Sequence, residues 1–396
     1  MIEHWIWLAS RRGLGPVRQR ELLEHFGSAQ ALWAADEEAL KRDGILPAAR
    51  QLLLDKDLTQ ARQILELCRR GGISVLTADM PEYPSFLRAI ADPPGVLYLL
   101  GELPPVDRLP CISLVGSRAA DQRGLETAYR LGWQIAGCGG VVVTGMAKGI
   151  DAQSALGALD NGGTVIGVLG CGVDVVYPRQ NAGLFSRVTG RGCLISEYPP
   201  GTPPTANHFP ARNRIISALS EGVVVVQAAE RSGALITARW AGEQGRDVFA
   251  VPGPAGEELS RGCNRLLKDG AILAESGWDV MCEYEYRYPG LVREYHGRPN
   301  IPRRQKDAEQ QPAQRPAPPV EKPRQSAPEK PRPDLSGLTE QQLALVSALQ
   351  KGPVQLDELL ERVELPSSAV LSQLTMLQIK GIVAQRPGRF YELTTK

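Results

Sequence analysis

The sequence lacks the features that mark membrane, secreted and metal-binding proteins. No apolar run approaches the roughly 20 residues that cross a bilayer. The start of the chain has no basic segment followed by an apolar stretch, so no signal peptide is indicated. The seven cysteines form no Cys-x-x-Cys pair, and the four histidines are far apart. We therefore expect a cytoplasmic protein with reduced cysteines in its core, no structural metal and no membrane association.

An excess of one charge and the common nucleotide-binding motifs are also missing. The formal net charge of +1 excludes a globally basic nucleic-acid coat, although it allows a local basic patch. Neither G-x-G-x-x-G after the first predicted strand nor G-x-x-x-x-G-K-[ST] occurs, which argues against dinucleotide dehydrogenases and P-loop triphosphatases. The sequence shows no obvious set of nucleophile, base and orienting group. His208 is not near a candidate serine or cysteine nucleophile in the sequence. We expect no cofactor and no catalysed reaction.

The length of 396 residues predicts two or three domains. Apolar residues at helical spacing predict a small helical domain over residues 1–75. Its turn at Gly13 to Pro16 is similar to a helix-hairpin-helix or SAM-like unit, in which backbone N–H groups contact a phosphate. A simple connection between two helices explains this turn equally well.

Residues 76–288 alternate short apolar runs with segments long enough for helices. Runs that are almost continuously apolar indicate parallel strands covered on both faces. The fold class is therefore α/β, with an extended Rossmann-like, doubly wound parallel sheet. The predicted strands are Ile112–Val115, Val141–Thr144, Val165–Leu169, Leu194–Ser196, Val223–Val226 and Val248–Val251.

The last part of the chain changes composition twice. Residues 289–333 are rich in proline and basic residues and poor in large apolar ones, which predicts a semi-extended linker. Residues 334–396 show three helical repeats followed by two short strands, the pattern of a winged helix. Its third helix, from Ser367 to Lys380, carries few basic residues, so contacts with DNA and with a protein are equally open.

Glycine, serine and basic residues follow several of the predicted strands. In an open parallel sheet, ligands bind at the carboxyl ends of the strands. Small residues let backbone N–H groups approach an anion, and arginine or lysine supplies the opposite charge. The loops therefore predict a phosphate-binding edge. Its basic residues are Arg118, Lys148, Arg179, Arg212, Arg214 and Arg231.

Seven motifs occur in and beside these loops: V-G-S-R (115–118), G-M-A-K-G-I-D (145–151), G-C-G-V-D-V-V-Y-P-R-Q-N (170–181), S-E-Y-P-P-G-T-P-P (196–204), F-P-A-R-N-R (209–214), S-G-A-L-I-T-A (232–238) and G-R-D-V-F-A-V-P-G (245–253). Taken in order, these motifs closely resemble those of the DprA/Smf family of DNA-processing proteins. The resemblance covers most of residues 80–280, and the flanking domains resemble that family's as well. It implies a protein that binds single-stranded DNA in a basic pocket, forms a homodimer through the Rossmann domain and loads the RecA recombinase in natural transformation.

The resemblance also implies roles for individual residues. Five basic side chains would hold phosphates, two asparagines would donate hydrogen bonds, and Phe209 would either stack on a base or lie buried under its loop. One departure is Gln227, where the family usually has Glu, and this puts a hydrogen bond in doubt. The predicted nucleic-acid-binding residues are Gly116, Ser117, Arg118, Lys148, Gly149, Arg179, Asn181, Phe209, Arg212, Asn213, Arg214 and Ser232.

Two other functions stay open at this stage. One is a nucleotide-processing enzyme of the LOG or lysine-decarboxylase-like type, although its P-G-G-x-G-T-x-x-E pattern is absent from residues 229–235. The other is a scaffold that holds partners through its winged helix and linker.

The apolar residues near the last strand predict either the two-fold interface of the dimer or ordinary core. They are Leu266, Leu267, Ile272 and Leu273.

Overall fold

The computed structural model describes most of the chain up to residue 299 and parts of the C-terminal region. The described residues are 1–299 except 12, 43 and 44, together with 338–350, 352, 354–355, 359, 363, 367–380, 382–386 and 390–394. The chain divides near residue 303 into two units, which are described separately. Residues 300–333 of the predicted linker lie outside the described residues.

Short helices occupy most of residues 1–71. Their apolar residues, including Trp5, Trp7 and Leu32, share one continuous core with Tyr98 and Leu194 of the sheet. The boundary predicted at residue 75 falls inside the first strand of that sheet. The helices are α1 (Ile2–Ala9), α2 (Pro16–Phe26), α3 (Ala29–Ala34), α4 (Glu37–Arg42), α5 (Pro47–Leu54) and α6 (Thr59–Gly71).

A nine-stranded sheet organises the described part of residues 72–299. Its strands are β1 (Ser74–Thr77), β2 (Val96–Gly101), β3 (Cys111–Val115), β4 (Val141–Thr144), β5 (Val165–Val168), β6 (Cys193–Ser196), β7 (Gly222–Val225), β8 (Asp247–Ala250) and β9 (Ile272–Leu273). The spatial order is β1-β2-β6-β5-β4-β3-β7-β8-β9. Strands β3 to β9 pair in parallel, whereas β1 with β2 and β2 with β6 pair antiparallel.

Helices cover both faces of this sheet, which confirms the predicted doubly wound α/β class. One face packs against the N-terminal helices and against α8 (Gln122–Gly137), α9 (Ile150–Asp160) and α10 (Ala182–Thr189). The other packs against α7 (Ser85–Arg88), α11 (His208–Ala218), α12 (Gly233–Glu243) and α13 (Glu258–Lys268). A short α14 (Gly277–Met281) follows β9. Each of the six predicted strands lies within one residue of its observed bounds.

The C-terminal unit combines helices with a small antiparallel sheet. Its described elements are α15 (Glu340–Leu349), β10 (Val354–Gln355), α16 (Ser367–Ile379), β11 (Val383–Arg386) and β12 (Phe390–Leu393). The strand order is β10-β12-β11, and Leu345, Leu374 and Tyr391 lie in the unit's core. The second helix predicted here, around Leu356 to Leu360, lies largely outside the described residues.

The described residues were searched for membrane-spanning helices, metal-binding clusters and disulfide bonds. No helix among them has the length and apolarity needed to cross a membrane. They contain no cluster of three or more His, Cys, Asp or Glu side chains able to hold a metal ion. All seven cysteines are free thiols, and Cys282 alone among them is not fully buried.

Candidate nucleic-acid interface

A cavity opens at the carboxyl ends of β3 and β7. These strands are neighbours, and the chain leaves them toward opposite sides of the sheet, so the space between their loops is the switch point of a doubly wound fold. The cavity has a volume of about 580 Å³. It is lined by parts of three segments, 115–118, 209–216 and 232–237, and thereby brings together Gly116, Ser117, Arg118, Phe209, Arg212, Asn213 and Ser232.

Close packing fixes the loop after β3, which carries Arg118. A Cβ atom on Gly116 would lie 2.5 Å from the Ile150 side chain, so the residue must be glycine for α9 to approach. The Ser117 amide donates to the Gln227 carbonyl over 2.7 Å. The Gln227 side chain in turn accepts from the Asp121 amide over 3.1 Å. Gln227 is buried, and its hydrogen bonds order this loop. A glutamine at this position, where the family usually has Glu, therefore still accepts a hydrogen bond from the loop.

A second loop, between β4 and α9, carries Lys148. Its residue Met146 has a positive φ of 56°, which is a strained conformation for a non-glycine residue. Asn181 holds this loop, since its Nδ2 donates to the carbonyls of Met146 (2.9 Å) and Ala147 (3.3 Å). Gly149 follows with a φ of 78°, and a Cβ there would lie 2.3 Å from the Ser117 carbonyl. The structure therefore places Asn181 and Gly149 where they position the two loops.

Arg118 and Lys148 are exposed and form no ion pair with any described residue. The Arg118 guanidinium lies over the Phe209 ring, 5.2 Å from its centroid. Both cations line a smaller cavity of about 220 Å³ beside the main one. Arg179 is exposed at the start of a 3-10 helix, but it lines neither cavity. The two loops thus place two exposed cations, Arg118 and Lys148, beside the same cavity.

Arg212 lies in the floor of the cavity, with 3% of its surface exposed. Its Nη1 donates to the carbonyl of Gly145 over 3.0 Å and to the carbonyl of Val168. Burial lowers the pKa of this guanidinium to about 10, which still leaves it charged at neutral pH. Because Nη1 binds carbonyls at the ends of both β4 and β5, Arg212 joins two strand ends to α11.

Arg214 is buried as well, and it does not line the cavity. Its guanidinium makes two hydrogen bonds to the Glu197 carboxylate, of 2.7 and 2.8 Å, and its Nε lies 3.0 Å from Asp92 Oδ2. Burial alone would lower its pKa, but the hydrogen bonds and charge of Glu197, with the charge of Asp92, raise it overall. Its predicted phosphate contact stays a prediction that this geometry does not favour.

The cavity also contains residues that the sequence analysis did not select. Asp151 lines it with only 6% of its surface exposed. Burial raises the pKa of this carboxyl, while the nearby charge of Arg212 opposes the rise. Tyr177 lies at the mouth of both cavities, with 40% of its surface exposed. Both residues belong to motifs quoted above, but their sequence neighbours did not reveal that they face the cavity.

The arrangement suits anion binding. Two unpaired cations lie beside the first turns of α9 and α12, where backbone N–H groups and the helix dipole favour negative charge. The hydroxyls of Ser117 and Ser232 accept hydrogen bonds from backbone amides two residues further on. Among the described lining residues, neither hydroxyl is hydrogen-bonded to a side-chain base. The site is equipped to hold phosphates.

Comparison with known proteins assigns the chain to a family. Residues 74–285 match the family model described as DNA recombination-mediator protein A, and residues 327–389 match the DprA winged helix domain. This chain belongs to the DprA/Smf family. Protein Smf of Synechocystis is 32% identical over 98% of both chains. The DNA processing protein DprA of Streptococcus pneumoniae is 44% identical over 52% of this chain and 72% of its own length.

Solved structures of the DprA/Smf family support the same assignment. The X-ray structure of DprA from S. pneumoniae superposes with a TM-score of 0.63 at 34% identity, covering 72% of this chain and 98% of the other. DprA from Helicobacter pylori, described as having a unique single-stranded DNA binding mode, gives a TM-score of 0.50 at 28% identity, covering 55% and 97%. The predicted family and the predicted winged-helix domain are confirmed.

Proposed function

We propose that the protein is a non-catalytic mediator that binds single-stranded DNA, protects incoming strands and loads RecA in natural transformation and recombination. The observation that carries the proposal is the pair of unpaired cations, Arg118 and Lys148, at the switch-point cavity. Phosphate contacts of this kind hold a strand without reading its sequence. Both proposed partners act in the cytoplasm, where we therefore place the protein.

A single strand suits this site better than a duplex. The two cations lie on adjoining loops around a cavity that also contains aromatic side chains. Unpaired bases can stack on aromatic rings, whereas the bases of a duplex are stacked on one another. The H. pylori relative, described as binding single-stranded DNA, supports the same choice. The role with RecA rests on the family resemblance.

We propose a homodimer that forms through the Rossmann domain. Ile272 and Leu273 form the edge strand β9 and are 37% and 49% exposed. Leu266 and Leu267 on α13 are half-buried against the core of the same face. Two large apolar side chains on an open edge are a site for pairing with another strand. Light scattering should give the mass of a dimer at roughly 10 µM, within the usual micromolar range of affinities, and a monomer at that concentration would contradict the interface.

Binding of a labelled oligo-dT and of a duplex of equal length tests the proposal directly. We expect the purified chain to bind the single strand more tightly and to leave it unchanged in length. A parallel incubation with nucleoside monophosphates tests the LOG-type alternative, which predicts release of the base. Equal affinity for both DNA forms, or turnover of the nucleotide, would contradict the proposal.

A further inference from the structure

Tyr177 is an exposed aromatic side chain at the mouth of the cavity. It lies on the loop between β5 and the 3-10 helix Arg179–Asn181, and 40% of its surface is accessible. It lines both the main cavity and the smaller one that contains Lys148. A large aromatic side chain in this position, beside two unpaired cations, is available to a ligand that carries both rings and negative charge.

The neighbouring aromatic residue, Phe209, is less accessible. It is half-buried, and the Arg118 guanidinium covers one face of its ring at 5.2 Å from the centroid. Tyr177 lies on it as well, with the ring centroids 5.4 Å apart and the planes inclined by 37°. A base that stacked on the covered face of Phe209 would have to displace Arg118. Phe209 therefore supports its two neighbours, and Tyr177 presents the free aromatic surface.

The three side chains are close enough to act on one stretch of strand. Phe209 contacts both Arg118 and Tyr177, so a phosphate at Arg118 and a base at Tyr177 can belong to the same nucleotide or to adjacent ones. Stacking on an aromatic ring accepts every base, because each has a π face. This surface complements phosphate contacts, which are also independent of sequence.

We propose that Tyr177 stacks on a nucleobase of the bound strand, with Phe209 holding its ring in place. The inference rests on the proposed function, since it requires a single strand in the cavity. It assigns the ring of Tyr177 to a nucleobase of any sequence and the adjoining cations to the sugar-phosphate chain. Tyr177 therefore contributes affinity that depends on the bases and is independent of salt.

The test compares two ligands that differ only in their bases. Oligo-dT and an oligomer of the same length made of abasic nucleotides carry equal numbers of phosphates. Replacing Tyr177 with Ala should weaken oligo-dT binding by about 5- to 150-fold, the range for loss of one stacked base. Binding of the abasic oligomer and the salt dependence for both ligands should remain those of the unmodified protein. Tyr177→Phe should retain the affinity for oligo-dT.

Two further variants separate stacking from packing. Tyr177→Leu keeps an apolar side chain against Phe209 but has no π face, so we expect it to bind oligo-dT as weakly as the Ala variant. Tyr286→Ala removes a tyrosine that is 85% exposed and lines neither cavity, and it should change nothing. Circular dichroism and thermal melting establish that each variant is folded.

Several outcomes would overturn the inference. A folded Ala variant that binds oligo-dT as tightly as the unmodified protein removes the stacking role. Equal weakening for oligo-dT and the abasic oligomer, with a flatter salt dependence, would mean that Tyr177 acts by positioning Arg118. Failure of the proposed function is seen separately, because the unmodified protein itself would then not bind oligo-dT.

Discussion

Replacing Arg118 with Ala removes one of the two unpaired cations at the cavity. The side chain is exposed, and its main contact is the face of the Phe209 ring. Loss of an exposed cation–π contact costs about 0.5–1 kcal/mol of folding free energy. The melting temperature should therefore fall by no more than about 4 °C, so that a change in DNA binding reports on the site.

The expected effect on binding follows from the number of unpaired cations. Each phosphate neutralised on a single strand contributes a slope of about −0.7 to the dependence of log affinity on log salt. With Arg118 and Lys148 each contacting one phosphate, the slope is about −1.4, and affinity falls about 25-fold for a tenfold rise in salt. The variant should have a slope of about −0.7 and a fall of about 5-fold. If the plots of log affinity against log salt for the two proteins meet near 1 M salt, the affinity of the variant near 0.05 M salt should be about 8-fold lower than that of the unmodified protein.

Fluorescence anisotropy of labelled oligo-dT, titrated between about 0.05 and 0.5 M salt, measures both quantities. Arg69→Ala is a matched control, because Arg69 is 75% exposed on α6 and already paired with Glu66. Its slope and affinity should equal those of the unmodified protein. Oligo-dT and oligo-dC should respond to the Arg118 substitution alike, since phosphate contacts carry no base information.

A folded Arg118→Ala protein with unchanged affinity and slope would refute the phosphate contact assigned to Arg118. A slope in the unmodified protein well beyond about −1.4 would show that further cations contact the strand. Arg179 and Arg231 are the exposed candidates in that case. A variant whose slope falls equally with duplex DNA would indicate a site that does not distinguish the two forms.

Other substitutions test the remaining parts of the account. Replacing Arg214 with Ala leaves two partly buried carboxylates, Asp92 and Glu197, without their buried partner. The free energy of unfolding in urea titrations should fall by about 3 kcal/mol, the lower end of the range for removing one partner of a buried pair. Arg239→Ala, at an exposed arginine, should change it by less than about 0.5 kcal/mol, and equal effects would contradict the ion-pair assignment. Gly149→Ala forces a positive φ on alanine and a clash with the Ser117 carbonyl, so it should cost about 1–3 kcal/mol and weaken oligo-dT binding. Removing residues 334–396 should change the affinity for a single strand by no more than about threefold, which is less than the tenfold change that corresponds to about 1.4 kcal/mol. Loss of most binding would instead assign DNA contact to the winged helix.

Much of the fold follows from short-range patterns. Runs such as Val141–Thr144 and Val223–Val226 are almost entirely apolar because each strand is covered by helices on both faces, and this pattern is visible in a single segment. The connections between them are long enough for helices, so parallel pairing was predictable too. Strands β1, β2 and β9 lie toward the edges of the sheet, and two of them, β1 and β9, are no longer than four residues and too short for a clear apolar run. These three strands were not predicted from the sequence for that reason.

The composition of the binding edge was also visible in the sequence, because loops that follow parallel strands must meet at one edge of the sheet. Only the tertiary structure decided which basic residues there are exposed and unpaired and which are buried with bound donors. Arg212 and Arg214 stand two positions apart on α11 and have the same chemistry as Arg118. In the folded chain, carbonyls of Gly145 and Val168 bind the first, and Asp92 and Glu197 bind the second. Those partners come from other strand ends and loops. They favour a structural role for both guanidinium groups, and the phosphate contacts expected of Arg212 and Arg214 stay predictions. Among the described residues, Arg118 and Lys148 form no ion pair and remain exposed, although the charge of the buried Asp151 carboxylate acts on Arg118 across the cavity.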